Sequence, residues 1–291
     1  MHAGGIIFGP VMEEIHQHRP LLFSLAYNIL GEVQEAEDIV QDVFENWFSK
    51  RPEVRFPKAY LSRAVVNKSI DRLEALKKAR EVYKGPWLPV PIVSEIASPD
   101  ERQSGDPLPY ALLSVLEKLN PVERAAFILR QAFDFPYSEI SEMCNLPEEN
   151  ARQLVHRAHE KLQRPRVRYE ASLEEKQRLL SAFLDACARQ DATTLKEILH
   201  RDVIMYSDGG GKVNAAVVPV RGPERIINFW WNVLKGIDDI FEAKPVFVNG
   251  SAGALLINKA TGQTDTICTL ETDGQRIIGL YFVRNPDKIS Y

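Results

Sequence analysis

Apolar residues recur at three- and four-residue spacing through "EVQEAEDIVQDVFENWFSK". Ala36, Ile39, Val40, Val43, Phe44, Trp47 and Phe48 form one stripe, which predicts an amphipathic helix, and residues 11 to 50 read as helices separated near Gly31. A second helix is predicted over 58 to 80, opened by Pro57 and buried through Leu61, Ala64, Val65, Ile70 and Leu73. Residues 110 to 163 return to helices: one to Leu119, one from Pro121 to about Phe133, a short one at 137 to 144 and a last one from 147 to 163. In the final pair Ile140 and Met143 face Ala151, Leu154, Val155 and Ala158 across a turn at Asn145 and Leu146. That is helix-turn-helix patterning, with a generic helical hairpin as the alternative.

The pattern changes after residue 174. Helices at about 174 to 189 and 191 to 199 precede the strand-like "DVIMYSD" and "VNAAVVPV", the helix "GPERIINFWWNVLKG", and four further strand-like runs ending in "RIIGLYFVRN". Three helices with a strongly curved antiparallel sheet predict an α+β cone with its own core, a shape that commonly encloses a pocket. Between the halves, residues 85 to 109 contain six prolines and two glycines and read as a linker. Its start, "WLPVP", is too apolar for a solvated spacer and predicts docking onto a surface. The implied organisation is multidomain: all-α segments at 1 to 84 and 110 to 168, a proline-rich linker at 85 to 109, and the α+β cone at 169 to 291.

A chain of 291 residues suits two or three domains. No run approaches eighteen apolar residues, so no membrane span is expected, and "MHAGGIIFGP" makes a poor signal peptide. Cys144, Cys187 and Cys268 lie too far apart for a disulfide framework or a spaced zinc site, which fits a reducing cytoplasm and no metal or cofactor.

The net charge of −4 conceals an asymmetry. Residues 11 to 49 carry eight acidic side chains and one basic, whereas residues 50 to 84 carry eleven basic and four acidic. Two different partners follow, one of them polyanionic. Around the basic helix, Lys58, Tyr60, Arg63, Asn67, Lys68 and Arg72 interleave cations with aromatic surface, the chemistry that suits single-stranded nucleic acid. On the last helix of the helix-turn-helix, Arg152, Gln153, His156, Arg157 and Lys161 suit base edges and phosphates.

The loop "SDGGGKV" raises a phosphate question. A P-loop would need glycine at Tyr206 and a hydroxyl at Val213, so the motif fails, and a tight turn that lets backbone approach another surface is what remains. Asp202, Tyr206, Asp208 and Asp265 are candidates for proton transfer in the cone, with His200 placed at a helix end, but no base-plus-oxyanion constellation accompanies them.

Three stretches, "AEDIVQDVFENWF", "AYLSRAVVNKSIDRL" and "LNPVERAAFILRQAFDFPYSEISEMCNLPEENARQLVHRAHEKL", together closely resemble regions 2 and 4 of bacterial extracytoplasmic-function (ECF) sigma factors over residues 11 to 165. The resemblance implies that Asp38, Gln41, Asp42 and Trp47 lie at or beside a contact with the β′ clamp helices of core RNA polymerase. It also implies that the basic helix melts and reads the minus-10 promoter element and that the helix-turn-helix reads the minus-35 duplex. Pro147 stands where many relatives carry a capping serine, a loss of about 1 kcal/mol unless its preset φ compensates.

The C-terminal part resembles a SnoaL-like domain. Trp87, Leu88, Pro89 and Pro91 of the linker, Asp208, Gly209, Gly210, Gly211 and Lys212 of the loop, and Asn285, Pro286, Asp287 and Lys288 of the tail are similar to the ECF subgroup that carries this domain as a regulator in cis. Val90 stands where that linker form has glutamate. The resemblance implies a transcription initiation factor that is not an enzyme, with an unknown small ligand of the cone as a further partner. The alternative is a cone-domain enzyme or small-molecule sensor fused to a DNA-binding regulator that does not need polymerase.

Overall fold

The structure is a computed structural model that describes residues 15–50, 52–95, 106–162, 171–234 and 240–289. The chain folds as two compact units.

The first unit takes the described residues up to Lys78, those from 106 to Leu108 and those from Leu116 to 162, so most of both all-α segments lies in one unit. Helix α1 (Arg19–Leu30) starts with Pro20 in its first turn and stops at Gly31, whose left-handed φ of 70° turns its N–H back onto the Tyr27 carbonyl. Helix α2 (Val33–Lys50) buries the predicted stripe, with Phe48 half-buried. Helix α3 (Pro57–Arg80) buries Leu61, Val65, Val66 and Leu73, whereas Ala64 and Ile70 are only half-buried. Helix α4 (Tyr110–Leu116) leads to α5 (Pro121–Gln131), which opens with a capping box between Asn120 and Glu123. Helices α6 (Tyr137–Met143) and α7 (Glu148–Leu162) follow, joined through Asn145 at φ 55°. The Pro147 carbonyl accepts from the Ala151 N–H at 3.1 Å, so the proline opens the α7 ladder with its carbonyl and has no side-chain oxygen to cap it.

Polar groups are sealed into this unit's core. Arg124 is wholly buried; its Nε and Nη2 donate to the Asn28 carbonyl at 3.4 and 3.3 Å and its Nη1 to the Glu117 carboxylate. Asn28, itself buried, accepts the Leu108 N–H at 2.9 Å and donates to Ser24 Oγ at 3.1 Å. Lys77 Nζ donates to the carbonyls of Glu117 and Leu119, and Asn67 Nδ2 to the Met143 carbonyl at 2.9 Å. These bonds tie the N-terminal helices to the helix-turn-helix segment.

The second unit is an α+β layer. Its sheet has seven strands in the order β1-β4-β5-β6-β7-β2-β3: β1 (Val93–Ser94), β2 (Leu199–Asp208), β3 (Val220–Arg221), β4 (Phe241–Val248), β5 (Ser251–Asn258), β6 (Thr264–Thr272) and β7 (Ile277–Val283). Against it pack α8 (Leu173–Ala188), α9 (Ala192–Ile198) and α10 (Pro223–Leu234), with α8 capped by a Ser172/Glu175 box and α9 by Asp191.

Three expectations need correcting. The sheet is mixed rather than antiparallel, because β2 runs parallel to β7. "VNAAVVPV" contributes only Val220 to a strand; Pro219 has no N–H for a ladder, and Val217 and Val218 are exposed, leaving no face to bury. His200 is the second residue of β2, since the chain leaves the helix after Ile198.

Alternation along the strands gives the sheet two buried faces. Met205, Leu270, Leu280 and Phe282 belong to the core under the helices. On the other face, Val246, Val248, Ile267, Tyr281 and Val283 pack with Leu88, Tyr110 and Ala111, so that face is covered by the linker and the start of α4.

Candidate functional site

The linker is seated on the second face of the sheet through both backbone and side chains. Val93 and Ser94 pair with Val248 and Phe247 at the sheet edge, and the Ile92 N–H donates to the Asn249 side chain at 2.9 Å. Leu88 is buried, Pro89 and Pro91 are buried beside it, and the Tyr110 hydroxyl donates to the Pro89 carbonyl at 2.7 Å.

Asp208 sits at the centre of this seat with no exposed surface. Its carboxylate accepts from the Tyr83 hydroxyl at 2.5 Å, the Leu88 N–H at 2.9 Å, the Gly210 N–H at 3.0 Å and the Lys288 ammonium at 2.8 Å. Lys288, 6% exposed, also donates to the Leu88 carbonyl at 2.5 Å. One buried ion pair therefore satisfies both backbone polar groups of Leu88. Trp87 is held between two cations, Arg80 at 3.3 Å and Lys288 at 4.1 Å from its ring centre.

The glycines serve close approach. Gly210 and Gly211 have φ of 62° and 69°, and a Cβ on Gly210 would lie 2.5 Å from the Asn285 side chain. Asn285 donates to the Tyr83 hydroxyl at 2.9 Å and caps the 3₁₀ turn Pro286–Lys288, while Lys212 pairs with Asp287 at 2.6 Å on the surface. Tyr83, Arg80, Asn249 and Tyr110 complete the seat and carry no sequence signal; each is unremarkable until the chain crosses itself.

The residues expected to meet polymerase and promoter lie on the first unit. Lys58 and Arg63 are exposed, as are Asp38, Gln41 and Asp42, whereas Trp47 is buried and packs edge-on against the half-open Tyr60 ring. Several have internal partners: Lys68 pairs with Asp42 at 2.9 Å, Arg72 holds Glu35 through two nitrogens, and Gln34 and Gln41 bond to Asp38 and Glu45. On α7, Arg152 pairs with Glu148 at 2.5 Å and lies 4.5 Å over the Tyr137 ring, Gln153 reaches Glu149 and His156 faces Glu160. Arg157 is exposed. Lys161 binds both oxygens of Glu123 at 2.7 Å. Burial pushes the Glu123 carboxyl up, but the Lys161 hydrogen bond, the Asn120 N–H and the charges of Lys161 and Arg157 outweigh it and leave the group below the usual carboxylate range.

Under the helices, the first face of the sheet borders a cavity of about 690 Å³ walled mainly by Phe183, Leu184, Met205, Trp230, Leu256 and Phe282. Of the four proton-transfer candidates only Asp265 borders it, and Arg284 grips that carboxylate at 3.0 and 3.1 Å. Asp208 belongs to the linker seat and Tyr206 to the same face, stacked on Tyr281 at 5.5 Å, while Asp202 is exposed beside Arg201.

The three cysteines are free and buried. Burial pushes the Cys144 and Cys268 thiols up to about 12 and raises Cys187 as well. At pH 8 a thiol with such a value is ionised in roughly one molecule in ten thousand. Ellman's reagent will therefore leave the folded chain nearly unlabelled and titrate all three thiols in denaturant; fast labelling of the native protein would contradict this burial.

Comparisons with known proteins bear on both units. The families described as Sigma-70 region 2 and Sigma-70, region 4 match residues 15–79 and 110–162. The ECF RNA polymerase sigma factor SigJ of Mycobacterium tuberculosis is 29% identical, with 96% of this chain and 92% of that protein aligned. The probable ECF RNA polymerase sigma factor SigI of the same species is 28% identical over 75% of this chain and 74% of its own length. The crystal structure of M. tuberculosis SigJ superposes with a TM-score of 0.76 at 29% identity, covering 95% of this chain and 97% of that one. None of the described helices is long and apolar enough to cross a membrane.

Proposed function

Because the chain is an RNA polymerase sigma factor of the extracytoplasmic-function type, we propose that its C-terminal domain, SnoaL-like in kind, regulates transcription initiation in cis by holding the linker between regions 2 and 4. The observation that carries this reading is the buried Asp208–Lys288 pair, which takes both backbone polar groups of Leu88. A linker held only for tidiness would need no buried charge pair, since ion pairs are costly to desolvate and apolar packing would serve as well.

Sigma factors bind core RNA polymerase and promoter DNA, and the candidate contacts on this chain have a consistent distribution. Asp38, Gln41, Asp42 and Trp47 would meet the β′ clamp helices, the α3 residues from Lys58 to Arg72 the minus-10 strand, and the α7 residues from Arg152 to Lys161 the minus-35 duplex. Their present partners are mostly exposed ion pairs worth about 0 to 1 kcal/mol each; promoter phosphates can replace the carboxylates beside the basic residues, and basic groups of polymerase the cation beside Asp42. Asn67 is different, because its bond to the Met143 carbonyl joins the minus-10 helix to the turn segment. Linker seating and these internal bonds together favour one arrangement, and polymerase selects another. This work would take place in the cytoplasm, where core polymerase is found.

A regulatory rather than catalytic cone is supported by the pairing of Asp265 with Arg284, which leaves no unpaired base among the candidates at the cavity wall. The test is in vitro transcription with core RNA polymerase and the full chain carrying Trp87→Ala, or alanines from Asp208 to Lys212. Promoter output is expected to change severalfold in both; unchanged output would sink regulation through the linker.

A further inference from the structure

The candidate readers on α7 have two kinds of carboxylate partner. Arg152, Gln153 and His156 face Glu148, Glu149 and Glu160, which lie on α7 itself, so these pairs travel with the helix. Lys161, in the last turn, instead reaches across to α5, where its Nζ meets both carboxylate oxygens of Glu123 at 2.7 Å. The two ends differ in exposure, 48% for the Lys161 side chain and 3% for that of Glu123. Glu123 is also held from its own helix, because its Oε2 accepts the Asn120 N–H at 3.1 Å in the capping box that opens α5. If Lys161 left for a phosphate it would strand a buried carboxylate, which costs more than one exposed ion pair returns.

Packing by itself leaves the tilt of α7 loosely set. The buried stripe of α7 consists of Ala151, Leu154, Val155, Ala158 and Leu162, aliphatic groups whose burial decides which face turns inward but is non-directional. The Glu123–Lys161 pair is directional, and an edge-on contact of Phe127 with His159, ring centres 5.1 Å apart, ties the same two helices beside it. Both ties sit near the C-terminal end of α7. Arg152 lies about 13 Å along the axis from Lys161, at about 1.5 Å per residue, so a tilt of roughly 10° about the pair moves it by about 2 Å. A bidentate hydrogen bond to a base edge does not survive such a shift.

We propose that Glu123 is a positioning residue for minus-35 recognition: through Lys161 it sets the tilt of α7 against α5, and Lys161 serves the interface as this strut and not as a phosphate contact. This role rests on the reading of α7 as the minus-35 helix, and it gives a function to a buried residue that touches no DNA.

The test uses the full chain bound to core RNA polymerase and a pool of duplex promoter fragments randomised across the minus-35 element, sequenced before and after capture. On the preferred duplex a single mismatch ordinarily lowers affinity by about tenfold. Glu123→Gln keeps an acceptor for the Asn120 N–H and removes the charge, so α5 stays capped while the strut is lost. It should reduce the mismatch penalty to about threefold at the positions that Arg152→Ala also relaxes, and Lys161→Gln should match it. Lys161→Arg, which keeps a donor fork for the carboxylate, should retain the wild-type profile. The slope of log affinity against log salt should stay unchanged in Lys161→Gln, whereas loss of a phosphate contact lowers it by about one. A slope lowered by that amount, or a full mismatch penalty in a folded Glu123→Gln chain, overturns the assignment. Lost stability alone does not give the expected result, since a weaker but unaltered fold keeps its base preferences. If the wild-type chain selects no sequence, or Arg152→Ala leaves the profile unchanged, the minus-35 reading itself falls and the role of the strut with it.

Discussion

Asp208→Ala will destabilise the C-terminal unit by about 3 to 5 kcal/mol, because it leaves the Lys288 ammonium and the Leu88 N–H buried without their partner. Lys288→Met will cost a comparable amount by stranding the carboxylate. The double variant Asp208→Ala/Lys288→Met will cost clearly less than the sum, since no charge is then left unpaired in the seat. Denaturant unfolding of the four proteins measures the coupling; additive losses would show that the pair is not a unit. The singles should also expose Trp87, so its fluorescence should shift red and the linker should become a protease target before global unfolding. In the double variant the backbone of Leu88 still lacks both partners, and the linker should remain loosened even where stability is regained.

The second large effect concerns Arg124. Arg124→Ala removes a wholly buried guanidinium and leaves the Asn28 carbonyl and the Glu117 carboxylate facing a void. The expected loss is about 3 kcal/mol or more, which at a few degrees per kcal/mol lowers the melting temperature of the first unit by roughly 10 °C. Arg124→Met keeps most of the volume and should recover part of the packing but not the bonds. Calorimetry on the full chain would show the transition of the first unit moving down while that of the C-terminal unit stays. A shift below about 2 °C would mean that Asn28 and Glu117 find other partners at little cost.

The two residues that dominate these predictions differ in how visible they are in the sequence. Asp208 stands out as the first residue of a glycine turn, and in isolation an Asp-Gly-Gly-Gly run signals an exposed hairpin tip. Its complete burial follows from Leu88 and Lys288 arriving from 120 residues before and 80 residues after it. Arg124 carries no such mark. On an amphipathic helix an arginine next to a glutamate has the pattern of a solvated face, and only the packing of α1 against α5 converts it to a core residue.

Features that depend on neighbours within a turn or two are readable along the chain. Helix positions follow from three- and four-residue periodicity, their ends from Gly31, Pro57 and Pro121, and the turn before the last helix from Asn145. The α+β character of the C-terminal part is evident in its alternating strands for the same reason.

Features that require distant segments to meet come only from the folded chain. The parallel pairing of β2 with β7 is set by which strands share a core, not by their own sequences. Val93 and Ser94 become a strand only because the β4 edge offers unpaired backbone groups, and "VNAAVVPV" is lost as a strand because Pro219 has no N–H for a ladder and Val217 and Val218 find no face to bury them. A local pattern reports the free energy of a few residues with water; burial of Asp208, Arg124 and Glu123 is a balance of desolvation against partners supplied by other parts of the chain, and that balance exists only once the chain has folded.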